Sequence, residues 1–299
     1  MTPHISRGIR NLRLVAGCTA ALLLLSGCLN SSFYHPNQTV YETPGQYSLP
    51  YEEVFFKSGD GTSLHGWFIP ASREPIGTVI YFHGNYGNVS YYLKQVQWLP
   101  SKRFNVFTFD YRGYGRSEGT PSRAGIYEDS VAAIEYITSR PGLNKENVVV
   151  FGQSLGGANA IVAVAKNDFP EIRAVAVEGT FSSYRKEAED VMASAVREKM
   201  GGASCLAYPV RPVSFLAVSD SLSPVEYIDQ VSPTPLLLIH CTDDAIVSYH
   251  HSDRLYEKAK EPKYRLMIEG CSHLNVFIDR QSGNEYREKL VRFFKDHRL

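Results

Sequence analysis

Gly152-Gln153-Ser154-Leu155-Gly156 sets a serine between two glycines, after the apolar run Asn147–Phe151 and before a helical pattern through Ala158–Lys166. A strand, a tight turn and a helix in that order can hold a serine hydroxyl out on strained backbone. Glycines at 152 and 156 remove side chains that would clash in such a turn. The helix N-terminus brings partial positive charge to an oxyanion forming beside it. A serine hydroxyl is a weak nucleophile until a base takes its proton, and the chain offers nine histidines. Position removes most of them. His4 lies in the N-terminal leader, His35 in a polar stretch, His65 within an early strand and His297 at the C-terminus. His250 and His251 open a helix as surface residues, and His240 closes a strand, where a packed or hydrogen-bonded ring is expected. His83 follows the run Thr78–Phe82 and is expected to brace its loop. His273, in Gly270-Cys271-Ser272-His273, remains as the base. A carboxylate must orient that imidazole and stabilise its cation; Asp243 and Asp244, after Leu236–Ile239, both stand in place for it. Two backbone N–H groups must receive the oxyanion. One is that of Leu155; the other belongs to the loop His83-Gly84-Asn85-Tyr86-Gly87-Asn88, with Asn85 ahead of Tyr86.

These residues need a frame. Strands are expected at Val54–Phe56, His65–Ile69, Thr78–Phe82, Asn105–Phe109, Asn147–Phe151, Ala174–Val177, Leu236–Ile239 and Tyr264–Ile268. Several are unbroken apolar runs, the mark of strands covered on both sheet faces. The Gly59-Asp60-Gly61 turn makes the first two antiparallel. Between the runs lie helical patterns such as Tyr127–Thr138, where Val131, Ile134 and Ile137 share a face. An amphipathic stretch, Glu285–His297, closes the chain. The alternation predicts an α/β fold with a mostly parallel eight-stranded sheet and helices on both faces. One interval breaks it: residues 182–232 hold one clear helix near Lys186–Lys199 and a proline-bearing stretch at Tyr208–Pro212, and a connection this long is usually functional.

His-Gly-Asn-x-Gly-Asn at 83–88, Asp-Tyr-Arg-Gly-Tyr-Gly-x-Ser-x-Gly at 110–119 and Gly-Gln-Ser-Leu-Gly-Gly at 152–157 follow one another at a recognisable spacing. From Tyr51 onward, less the segment 182–232, the chain resembles the α/β-hydrolase superfamily. Within it, the likeness is to the subgroup of serine-aminopeptidase-like sequences and membrane-associated depalmitoylases. The resemblance implies the order Ser154, Asp, His273. Its pattern H-G-x-x-D-x-x-V, laid on His240–Val247, selects Asp244 and leaves Asp243 to cap the loop; Cys241 stands where that pattern has glycine. It implies that residues 182–232 form a lid or cap insertion and that 110–115 form a structural turn. It does not fix the substrate, because one fold and triad serve esters, thioesters and amides. A carboxylic ester or thioester hydrolase is the expectation. An aminopeptidase-like peptidase and a non-catalytic surface lipoprotein of the same fold are the alternatives.

Residues 1–27 carry Arg7, Arg10 and Arg13, no acidic residue, and an apolar run from Leu14 to Leu25. This reads as a secretory signal, too short for a comfortable membrane span. Leu25-Ser26-Gly27-Cys28 resembles a bacterial lipobox, which implies lipidation of Cys28 and anchoring in the cell envelope. With Leu29 after it, the resemblance implies the outer membrane if the organism is Gram-negative. Residues 28–50, polar and without periodicity, read as a tether, and 51–299 as the hydrolase domain. The full chain balances 31 basic against 31 acidic residues; without the leader it turns mildly acidic. Neither state carries the basic footprint of a nucleic-acid binder. No cofactor or metal motif is present, and the expected partners are a small or lipid-like acyl substrate and a membrane. Of the remaining cysteines, Cys241 and Cys271 flank the acid and base loops; a disulfide there is conceivable, with buried thiols the expectation.

Overall fold

The structure is a computed structural model that describes residues 33–199 and 218–297. The leader 1–27, Cys28 and the stretch Tyr208–Pro212 lie outside the described residues. The chain divides into two compact units, one of Met1–Tyr34 with Tyr184–Asp220, the other of His35–Ser183 with Ser221–Leu299.

The second unit holds ten strands and five helices among the described residues. The strands are β1 (His35–Pro36), β2 (Glu52–Lys57), β3 (Ser63–Ile69), β4 (Gly77–Phe82), β5 (Tyr86–Gly87), β6 (Phe104–Phe109), β7 (Val148–Gln153), β8 (Ile172–Glu178), β9 (Leu236–Cys241) and β10 (Lys263–Ile268). Its helices are α1 (Val89–Val96), α2 (Arg123–Ser139), α3 (Leu155–Lys166), α5 (His250–Lys258) and α6 (Gly283–Asp296), while α4 (Tyr184–Lys199) belongs to the first unit. There Arg185 ties α4 to the returning chain, its Nε donating to the Val218 carbonyl at 3.2 Å and its backbone N–H to Asp220 Oδ1 at 3.0 Å.

Eight strands form one sheet in the order β10-β9-β8-β7-β4-β6-β3-β2. β2 and β3 pair antiparallel, β3 meets β6 antiparallel, and every other pairing is parallel. All eight expected strands are present. β4, β6, β7 and β9 are buried from end to end, and their period-2 alternation divides the apolar side chains between two layers. Val79, Tyr81, Val149, Phe151, Ala174, Ala176, Leu237 and Ile239 share a cluster with Leu93 and Val96 of α1 and Leu290, Phe293 and Phe294 of α6. The alternate residues, such as Ile80, Val150 and Val175, face the layer where α2 and α3 pack. Parallel strands all end on one edge, and the loops leaving that edge carry Asn85, Ser154, Asp244 and His273.

Two observations go beyond the sequence reading. The stretch read as a tether carries β1, paired with β5, and a 3-10 turn at Pro44–Tyr47, with Tyr47 and Leu49 packed on the core. Among the described residues, the long interval between β8 and β9 holds α4 and two further 3-10 turns, Pro224–Glu226 and Ile228–Gln230.

Candidate active site

β7 delivers its backbone straight into Ser154, which takes φ 52° and ψ −119°, and α3 begins at the next residue. A non-glycine residue at positive φ stores strain that the surroundings must enforce. Here the Ser154 N–H donates to the Glu178 carbonyl at 2.8 Å, and its own carbonyl accepts from Ala158 at 3.2 Å. The flanking glycines are steric requirements. A Cβ at Gly152 would lie 2.6 Å from the Gly157 Cα, and one at Gly156 would lie 2.1 Å from the Phe82 carbonyl. Serine at a helix N-cap usually accepts from the first-turn amides, but Ser154 makes no such side-chain bond. Its hydroxyl is not spent on the helix.

Leu155 opens α3, so its N–H belongs to a first turn whose amides have no intrahelical acceptor. The facing loop leaves β4. The Asn85 carbonyl accepts from the Tyr114 hydroxyl at 2.9 Å and from the His35 N–H at 3.0 Å. His83 is fully buried, with Nδ1 2.7 Å from the Gly84 carbonyl. Burial lowers its pKa, the nearby Asp110 only partly offsetting this. It braces the loop, as expected. Tyr111 is buried and donates to the His83 carbonyl at 3.2 Å.

His273 Nδ1 lies 2.7 Å from Asp244 Oδ2. The other oxygen, Oδ1, accepts from the backbone N–H groups of Ile246 and Val247, each at 2.9 Å. His240 Nε2 stands 3.5 Å from Oδ2. Burial alone would raise the Asp244 pKa, but hydrogen bonds from His240 and His273 and the imidazole charge carry it well below the usual carboxylate range. An ionised Asp244 only accepts, so His273 Nδ1 is the donor of this pair. A Cβ placed on Gly179 would meet His273 Cε1 at 3.1 Å. The residue before it, Glu178, holds the Ser154 N–H, so the imidazole and the serine both lie at the same end of β8. Asp243 is exposed, its Oδ2 accepting from the Gly270 N–H at 3.2 Å, which ties the acid loop to the base loop.

Two expectations are corrected. Cys241 and Cys271 are not free thiols: they form a disulfide with Cα atoms 5.3 Å apart. β9 and β10 are neighbours, and Cys241 pairs in register with Ile268, which brings the two cysteines together. His251 is not a surface residue. The buried side of α5 is His251, Ser252 and Leu255, and His251 Nδ1 accepts from the Ser182 N–H at 2.9 Å. His250 is on the surface.

A polar network behind the serine was missed. Tyr81, Gln153 and Glu178 are same-face residues at or near the ends of three adjacent strands, continuing the layer of Val79, Phe151 and Ala176. The Tyr81 hydroxyl donates to Gln153 Oε1, and Gln153 Nε2 donates to Glu178 Oε2 and to Gln95 Oε1, the last at 3.2 Å. Gln95 Nε2 reaches the Leu274 carbonyl, beside His273, at 2.8 Å. Burial raises the Glu178 carboxyl to about 7, while Gln153 and the Val276 N–H pull it back and the Asp244 charge adds to the rise. Strand alternation was the available signal, since it turns Gln153 and Glu178 inward at the ends of apolar runs.

An elbow serine on a doubly covered parallel sheet, with an acid–base pair on the next strand ends, defines a class, and sequence similarity agrees. A family model described as alpha/beta hydrolase fold matches residues 77–201, and the chain belongs to that family. It is 42% identical over 265 residues to the uncharacterized protein YfhR of Escherichia coli (strain K12), across 87% of this chain and 85% of that one. It is 35% identical over 223 residues to the alpha/beta hydrolase domain-containing protein WAV2 of Arabidopsis thaliana, across 73% and 69% of the two chains. Among solved structures, the Pyrococcus furiosus esterase Pf2001 superposes with a TM-score of 0.70 at 22% identity, over 89% of this chain and 98% of that one. At that identity the likeness speaks for the fold.

Proposed function

We propose that this protein is a serine hydrolase that cleaves a carboxylic ester or thioester through an acyl-enzyme on Ser154, and that its chain is exported and lipid-anchored through Cys28. The observation that carries the catalytic reading is Ser154 itself, strained at positive φ at the head of α3 with its hydroxyl unused by the helix. In a strand–turn–helix elbow, that geometry holds the hydroxyl out where an acyl carbon can reach it.

In this mechanism the Ser154 oxygen attacks the acyl carbon while His273 Nε2 takes its proton. The Leu155 and Asn85 N–H groups hold the oxyanion, and Asp244 holds the imidazolium. The proton then passes to the leaving alcohol or thiol. Water, deprotonated by the same imidazole, attacks the acyl-enzyme and releases the acid and Ser154. The elbow also speaks against a non-catalytic binding protein, because binding alone needs no strained serine.

The test is a fluorophosphonate probe together with a short soluble acyl ester. The intact protein should be labelled at Ser154, and Ser154→Ala should lose both labelling and ester turnover by at least about 1,000-fold. Full turnover by Ser154→Ala would refute the assignment.

A further inference from the structure

The N-terminal segment does not enter the fold at a neutral place. β1 runs parallel to β5, His35 opposite Tyr86 and Pro36 opposite Gly87, so it is paired to the very loop that offers the Asn85 N–H. The stitching continues outward. The Asn37 N–H donates to the Gly87 carbonyl at 2.9 Å, and Asn88 Nδ2 donates to the carbonyls of Asn37 and Thr39 at 2.7 and 2.8 Å. The Tyr41 N–H donates to Ser90 Oγ at 2.9 Å.

On the outside of these bonds three tyrosine rings meet in the open. Tyr91 is 48% exposed, Tyr86 45% and Tyr41 37%, with Val40 at 59% beside them. The Tyr41 and Tyr91 rings are 5.2 Å apart, and those of Tyr86 and Tyr91 are 5.1 Å apart. The loops after β9 and β10 add exposed Ile246 and Ile278 to the same sheet edge. Glu42, next to Tyr41 in the chain, pairs with Lys94 at 2.6 Å.

Rings with an apolar body and a polar tip are suited to the boundary between lipid and water. The sequence supplies the reason a boundary should be there. The apolar run Leu14–Leu25 and Cys28 precede β1, and residues 28–34 span no more than about 25 Å even when fully extended. Any attachment made through that leader or that cysteine ends within this reach of the tyrosines.

We propose that the surface of Val40, Tyr41, Tyr86 and Tyr91 rests on a lipid bilayer, so that the catalytic loops take their acyl substrate from the membrane. This rests on the hydrolase and anchor reading above. The patch is too small to hold the protein alone; it orients a chain that the N-terminus already holds. Substrates would be acyl esters or thioesters whose chains lie in the bilayer, drawn past Tyr86 to Ser154.

The full chain, reconstituted into phosphatidylethanolamine–phosphatidylglycerol vesicles with plain or brominated acyl chains, gives a direct test. Tyr91→Trp and Tyr41→Trp place a reporter in the patch, and Tyr264→Trp places a control on β10, where Tyr264 is 42% exposed. The native Trp67 and Trp98 are buried and are subtracted with the unsubstituted protein. Brominated lipid should quench the patch reporters at least twofold more than the control, and equal quenching at both places, or none, overturns the proposal. A second arm compares a long-chain ester held in the vesicles with a short soluble ester. In Tyr41→Ser/Tyr91→Ser the ratio of vesicle to soluble turnover should fall at least fivefold, and an unchanged ratio overturns delivery from the membrane. If the unsubstituted chain cleaves neither ester, the hydrolase reading fails, while the quenching still decides the surface.

Discussion

Asp244 and Glu178 are two buried carboxylates close enough to feel each other, yet their surroundings drive them in opposite directions. Asp244 is pulled well below its ordinary range once the hydrogen bonds from His240 and His273 overcome burial. Its stabilising contribution is present above the ordinary aspartate pKa and is lost as pH falls toward its lower folded value. Asp244→Asn should keep the loop but lose the charge that holds His273, lowering kcat for a short ester by roughly 1,000- to 10,000-fold with little change in KM. Steady-state kinetics decides this. Glu178 has the reverse sign. Its folded pKa of about 7 lies above the ordinary 4.5. Below that ordinary value both states are protonated and no difference arises. Between the two values the folded state keeps a proton that the unfolded chain releases, so stability falls as pH rises through this window. The loss is complete above the folded pKa and amounts to about 3 kcal/mol. Glu178→Gln should remove that slope. Urea midpoints at pH 5 and pH 8 should then draw together, and an unchanged gap between them would count against the shift.

Among the elements, β9 and β10 carry the acid and the base, and the Cys241–Cys271 bond crosses between them with a sequence separation of 30. Closing a loop of that length removes unfolded-chain freedom worth roughly 3–4 kcal/mol. Cys241→Ala/Cys271→Ala should therefore lower the urea midpoint. It should also raise amide exchange across residues 269–275, the loop that carries His273. Exchange unchanged in that loop would mean that the Asp243–Gly270 and Gln95–Leu274 bonds hold it unaided. The elements were largely legible beforehand because of where they lie. Strands such as Val148–Gln153 are buried on both faces and announce themselves as apolar runs. β1 and β5, each two residues long, have no period to read. Cys241 and Cys271 could not be paired by counting, since an odd number of cysteines remained beyond Cys28. At the candidate site, Ser154 and His273 could be singled out because the chemistry proposed for them needs rare spacing and chain order. Gln153 and Glu178 were not, because a polar residue ending an apolar run also looks like a strand stop. His251 was misjudged because only the helix face distinguishes it from His250.

At the scale of the whole molecule, the sheet gathers the candidate machinery on one edge from widely separated parts of the chain: Asn85 after β4, Ser154 after β7, and Asp244 and His273 after β9 and β10. That arrangement makes the site a product of the complete sheet. For a chain exported as proposed, the disulfide then has a meaning in time as well as in space. A copy still inside a reducing cytosol lacks the covalent link and joins its acid loop to its base loop through the Asp243–Gly270 hydrogen bond. A copy that has arrived outside holds them on one covalent frame. Made without residues 1–27 and kept reduced, the protein should turn over a short ester several-fold more slowly than after oxidation by glutathione disulfide, and equal rates would discard the idea. The bond would act as a proof of delivery, keeping the hydrolase quiet among the acyl esters and thioesters of the compartment in which it is made.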